Sequence, residues 1–226
     1  MTQRVAFFDI AGTIIDANPW PYLLKHPDVS RGRTRMATLR FMPTWLGTKI
    51  HLVSDTTFRH RWINLMAGVF KGWSKDDTEA LFNWVVSEPM RDCYRTDVVA
   101  RLRQHKHDGD HVVLVSGMFG NLAAAFAKHV GADAALGSQL VFRDGICTGV
   151  LNGNTCIGPR KLTHIREYLI AHKLSPDLSD HYAYADSLSD LPLLSAVGTP
   201  VATYPDSALQ AIAQERSWTV LPAQPI

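Results

Sequence analysis

Short apolar runs recur along the chain and alternate with stretches of helical period. Residues 4–9, "RVAFFD", are apolar and β-prone and are bounded by Gly12, which is the pattern of a buried strand. "HVVLVS" at 111–116, "HYAYA" at 181–185 and "TPVAT" at 199–203 repeat it. Between them, 97–106 puts apolar residues at 98, 99 and 102, 121–130 ends at Gly131 as a helix cap, and 161–172 repeats the theme. Strands alternating with helices predict an α/β fold, a parallel sheet covered on both faces. Such sheets hold ligands at the carboxyl ends of their strands.

Residues 17–96 break this rhythm. They carry five of the six tryptophans, and helical signals dominate; "SKDD" at 74–77 reads as a capping box before "TEALFNWVV". We read a helical insertion after the first strand, dividing the chain into a core of 1–16 and 97–226 and an insertion of 17–96. Asp144-Gly145, between "QLVF" and "ICTGVL", predicts a β-hairpin.

Composition narrows the class without choosing a function. With 46% hydrophobic and 19% charged residues over 226 positions, one large core is affordable and disorder is excluded. A net charge of +2 gives no reason to expect nucleic acid. Three scattered cysteines, Cys93, Cys147 and Cys156, lack metal-ligand spacing and fit a reducing cytoplasm. No signal peptide is read at the N-terminus, and no apolar run reaches the about 18 residues of a membrane span, so stable membrane insertion is not expected.

Four places at strand and helix ends carry chemistry. Asp9 follows the first strand, Ser116 the second, Lys161 opens a helix, and Asp186 and Asp190 follow the third strand in "YADSLSDLPLL". Brought to one rim of the sheet, they permit phosphoryl transfer through an aspartyl-phosphate. A carboxylate attacks phosphorus, a hydroxyl and an ammonium hold phosphoryl oxygens, and carboxylates hold Mg²⁺. Gly117 beside Ser116 suits a backbone that approaches phosphate.

In order and spacing, "DIAGT" from Asp9, "SG" from Ser116, Lys161 and "DSLSD" from Asp186 resemble the four motifs of the haloacid dehalogenase (HAD) superfamily, phosphoserine-phosphatase-like branch. The resemblance covers most of the core and implies a Rossmann-like sheet with a mobile helical cap, the cap falling at the insertion. It implies Asp9 as nucleophile, Ser116, Gly117 and Lys161 as phosphoryl ligands, and Mg²⁺ held by Asp9, Asp186 and the carbonyl of Ala11. Asp190 would support the metal shell or Lys161. The implied reaction is Mg²⁺-dependent hydrolysis of a small organic phosphate monoester.

The departure is Ala11, where that branch has a second aspartate that protonates the leaving alkoxide and then activates water. Three readings stay open: an aspartate replaced by design, a natural enzyme that works with alanine, or a phosphate-ligand binder without turnover. The superfamily's phosphonate-hydrolysing branch is similar in having alanine there together with a cap lysine, for which Lys49 is the counterpart.

The substrate is less legible. Residues 17–54 hold six Lys/Arg and one acid, Asp28, a basic surface that attracts anions, although a solvated helix face is the commoner explanation. No glutamate follows the first motif before Glu79, which argues against free phosphoserine. The tryptophans raise an apolar ester, with Trp20 as the candidate contact; packing explains such residues more often. The cluster "HKHDGDH" at 105–111 reads as helix-to-strand turn chemistry rather than a metal site.

Overall fold

The computed structural model describes residues 3–222. Strands β1 (Val5–Phe8), β2 (His111–Phe119), β3 (Ala134–Ser138), β6 (Tyr182–Ala185), β7 (Thr199–Thr203) and β8 (Thr219–Leu221) form one parallel sheet in the order β3-β2-β1-β6-β7-β8. Strands β4 (Leu140–Arg143) and β5 (Ile146–Leu151) form the separate antiparallel hairpin expected at Asp144-Gly145, both turn residues having positive φ (49° and 76°).

The apolar run of β1 is continuous because both faces of the sheet are covered. Ala6 and Phe8 point into one core cluster with Val112, Leu114, Leu122 and Phe126. Val5 and Phe7 point into the other with Val113, Val115, Ile165 and Leu169. Helices α5 (Thr96–His107) and α6 (Gly120–Val130) cover the first face; α7 (Arg160–Ala171), α8 (Leu191–Leu194) and α9 (Ser207–Glu215) cover the second.

Between β1 and α5 lie α1 (Trp20–Lys25), α2 (Arg31–Lys49), α3 (Asp55–Val69) and α4 (Lys75–Ser87). Serines start three of them. Ser30, Ser54 and Ser74 each accept a hydrogen bond from the backbone N–H three residues on, at 3.3, 3.2 and 3.0 Å, each cap contributing about 1 kcal/mol. Their buried side chains, among them Leu23, Ile63, Met66 and Phe82, join the cluster on the first face. The hairpin ties the segment down as well: Gly72 and Lys75 donate backbone bonds to Cys147 and Gly145, and Cys147 donates to Trp73, at 2.7–2.8 Å.

Two strands, β3 and β8, escaped the hydrophobic pattern. Another difference bears on the site. The second strand does not stop at Ser116 but runs to Phe119, with a register irregularity between Val115 and Phe119.

Candidate active site

Strand β1 lies between β2 and β6, the point where the order of connections reverses, and a crevice opens there at the carboxyl ends. A cavity of about 690 Å³ occupies it. Every site residue picked from the sequence lines it: Asp9, Ala11, Trp20, Ser116, Gly117, Lys161, Asp186 and Asp190. Lys49, the one considered for a Schiff base, does not; it ends α2 with its Nζ over the Trp45 ring, 5.7 Å from the centroid.

Lys161 is the hub. Its buried Nζ donates to Asp9 Oδ1 and to Asp190 Oδ1, each at 2.5 Å. An ammonium has three protons, so one remains to meet a bound anion. Asp190 is positioned in turn by Ser187 Oγ, which donates to its Oδ2 at 3.2 Å. Asp186, just beyond β6, accepts from Thr13 Oγ1 at 3.1 Å. Ser116 Oγ accepts from the Met118 N–H at 3.4 Å, a bond that uses its lone pair and not its proton.

The turn after Asp9 is shaped by close approach. Gly12 has φ +91°, and a Cβ there would lie 2.1 Å from Asp186 Oδ2, so only glycine lets the second carboxylate come this near. Arg95, which also lines the cavity, holds the turn: its Nε donates to the Gly12 carbonyl at 3.1 Å and its guanidinium lies 3.6 Å from the Tyr204 ring centroid.

Three carboxylates, those of Asp9, Asp186 and Asp190, offer oxygens within 4.8 Å of one another, against one ammonium. Burial pushes the Asp9 carboxyl up to about 7, against the pull of Lys161, with Asp190 and Asp186 adding to the rise. Burial and then Asp190 push Asp186 up to about 6, against the Thr13 hydrogen bond. Burial alone would lower the Lys161 ammonium, but the charges of Asp190 and Asp9 outweigh it and hold it above its ordinary value. Three carboxyls facing one ammonium are short of positive charge, a shortage that protons or a cation can relieve, and an oxygen-only donor set of this kind fits a hard divalent cation.

A stability consequence follows. A carboxyl whose pKa is higher folded than unfolded takes up protons on folding, so its contribution is lost as pH rises from the unfolded value through the folded one. The melting temperature of the metal-free protein is expected to fall as pH is raised from about 5 to 8, and to fall less with Mg²⁺ present. A metal-free melting temperature that rises over this interval would contradict the charge assignment.

The remaining wall is aromatic and comes largely from the helical segment. Trp20, Phe41, Phe58 and Trp62 line the cavity. Phe41 meets Phe58 and Trp62 at 4.7 and 4.9 Å between centroids, and Trp20 meets Trp62 and Phe119 at 6.0 and 5.2 Å. Trp20 thus both packs and faces the cavity. Polar groups interrupt this wall: Asp16, and the Asp55–Arg59 pair on α3, joined at 2.6 Å. Burial lowers the Arg59 guanidinium, but Asp55, with further help from Asp190 and Asp9, raises it overall. Sequence reasoning read Thr13 only as the end of "DIAGT" and missed Arg59 and Arg95; Arg59, an isolated basic side chain on a helical stretch, carries no signal until α3 is placed over the sheet.

Two histidines of the 105–111 cluster have partners within the fold, His111 meeting Tyr168 Oη at 2.8 Å. His105, in the last turn of α5, is buried between Asp110 Oδ2 and Tyr184 Oη, 2.8 Å from each, and clamps α5 to β6.

Comparison with known proteins agrees with this geometry. The family model described as haloacid dehalogenase-like hydrolase matches residues 6–195. The chain is 30% identical over 222 residues to a probable phosphatase of Mycobacterium tuberculosis (strain ATCC 25618 / H37Rv), covering 97% of this chain and 75% of that protein. It is 38% identical over 118 residues to a phosphoserine phosphatase of the same organism, 52% of this chain, and spans only 38% of that relative's length. Among solved structures it is similar to a protein of unknown function from Bordetella pertussis Tohama I, with TM-score 0.81 and 24% identity, covering 97% of this chain and 98% of the other, a likeness of fold.

Proposed function

Because the chain belongs to the haloacid dehalogenase-like hydrolases, we propose that it is of their phosphoserine-phosphatase-like branch and hydrolyses a small organic phosphate monoester through an aspartyl-phosphate on Asp9. The observation that carries this reading is Lys161 bridging Asp9 and Asp190 on the floor of a cavity that also holds Ser116 and Asp186.

In this reading Ser116 Oγ–H, the Gly117 backbone and the third Lys161 proton hold the phosphoryl oxygens. The free oxygen of Asp9 attacks phosphorus, and the ester P–O bond breaks with its electron pair on the leaving oxygen. Ala11 has no proton to give, so solvent supplies it. Water then attacks the phosphorus of phospho-Asp9, the P–O bond to Asp9 breaks, and inorganic phosphate leaves. Asp9, Asp186 and the Ala11 carbonyl are the residues that would hold Mg²⁺, with Asp190 behind them; when bound, it supplies charge neutralisation and polarises a phosphoryl oxygen.

The helical segment of 17–96 is read as the cap, setting substrate choice through Trp20, Phe41, Phe58 and Trp62 for an apolar portion and Arg59 for an anionic one. The position of Lys49 outside the cavity disfavours a Schiff-base route. Binding of a phosphorylated ligand without turnover is the second reading, and Ala11 is the observation that favours it.

The deciding experiment is phosphate release from 4-nitrophenyl phosphate, whose leaving group needs little protonation. Release is expected with Mg²⁺, to stop in EDTA, and to return when Mg²⁺ is restored. Phosphate binding without release would favour the second reading, and release indifferent to EDTA would remove the metal from the scheme.

A further inference from the structure

Helix α2 has two apolar sides, and only one is used. Ala37, Phe41, Thr44 and Gly47 are buried, with Phe41 against Phe58 and Trp62 of α3. On another side Met36, Leu39, Met42 and Leu46 stand at spacings of three, three and four and are 47–61% exposed, and Ile50, the C-cap just past the helix, is 64% exposed. The turn that follows adds Leu52, 79% exposed. Residues at these spacings share one helix face, so this is a continuous apolar stripe and not scattered single side chains.

The charge of the helix says what covers it. Its 19 residues contain five Arg/Lys and no acid. A second copy of this chain docking through the same face would bring two such helices together and set like charges against each other, which opposes association. An anionic surface meets both features at once, since apolar side chains enter the interfacial region while Arg35 and Lys49, at helical spacing to the stripe, and Arg31 beside them pair with headgroups. No helix among the described residues is long and apolar enough to cross a membrane, so the contact is peripheral.

We propose that the outer face of α2 docks on an anionic lipid bilayer. Phe41, on the other side of the same helix, lines the cavity, so docking sets the cavity wall one helix away from the lipid surface.

The test is co-sedimentation of the full chain with vesicles of phosphatidylglycerol and phosphatidylcholine, compared with phosphatidylcholine alone, at low and high salt. Binding is expected on the anionic vesicles, weakened by salt. Leu39→Asp and Leu46→Asp are each expected to weaken it about tenfold or more, with circular dichroism unchanged because both side chains are solvent-facing. Amide exchange of the unaltered chain supplies a readout free of substitution: slowing on vesicle addition is expected within 36–52. Equal binding to neutral vesicles, or no binding by a monomeric chain, overturns the proposal. So does a concentration-dependent dimer that Leu39→Asp dissociates, which would assign the stripe to a second copy.

Discussion

Asp9→Asn is expected to lower turnover of any phosphate ester by at least about 10³-fold, since in the proposed scheme it removes the nucleophile of a coupled set, which costs nearly the whole of that set's contribution. The substitution is close to isosteric. Its oxygen can still accept from Lys161 Nζ, and Lys161 keeps Asp190 as its charged partner at 2.5 Å. It also removes a buried carboxyl whose pKa is raised to about 7, mainly by burial. The melting temperature of the metal-free variant is therefore expected to equal or exceed that of the parent at neutral pH, so lost activity is not lost fold. Intact-mass analysis after rapid acid quench with substrate gives an independent readout: a phosphoryl adduct on the parent and none on the variant. Retained turnover in Asp9→Asn would end the aspartyl-phosphate scheme.

Ala11→Asp is expected to raise turnover, and by an amount that depends on the leaving group. General acid–base help contributes typically about 10²–10⁴-fold. An alkyl phosphate, whose alkoxide must be protonated, is expected to gain in that range. 4-Nitrophenyl phosphate is expected to gain less in its first step, because its leaving group departs without a proton. Ala11 is exposed and lines the cavity, so a longer side chain has room. The new carboxyl would join three others, and such crowding raises a pKa, which suits an acid. Turnover of the alkyl ester that does not change would show that water or another cavity group already supplies the proton, and Asp55 would be the next residue to replace.

What was readable in the sequence follows from where the information resides. The runs around β1, β2, β6 and β7 announce themselves because a strand buried on both faces must be apolar throughout; Asp9 and Asp186 follow the ends of β1 and β6, while Ser116 lies within β2, three residues before its end. The helix caps at Ser74 and Gly131 were visible because a cap is a local contract between a side chain and nearby backbone. Strand β3, "AALGS", has weak intrinsic preference and is a strand because β2 pairs with it. Arg95 gave no local sign of its task, since its partner Gly12 is 83 positions away. The same is true of Arg59, whose relation to the carboxylates exists only once α3 lies over the sheet. Asp190 was assigned either to the metal shell or to Lys161; the geometry places it in contact with Lys161 and within reach of the other two carboxylates.

The bond from Lys161 to Asp9 spans 152 positions, and that from Thr13 to Asp186 spans 173. Contacts of such separation raise the contact order of the fold, as does the β1–β2 pair, in which Val5 meets His111. A nascent chain that has made only its first half carries Asp9 yet neither Lys161 nor the carboxylates of Asp186 and Asp190. The proposed site is therefore assembled only once the second half of the chain closes on β1, with β6 leading into Asp186 and α7 carrying Lys161.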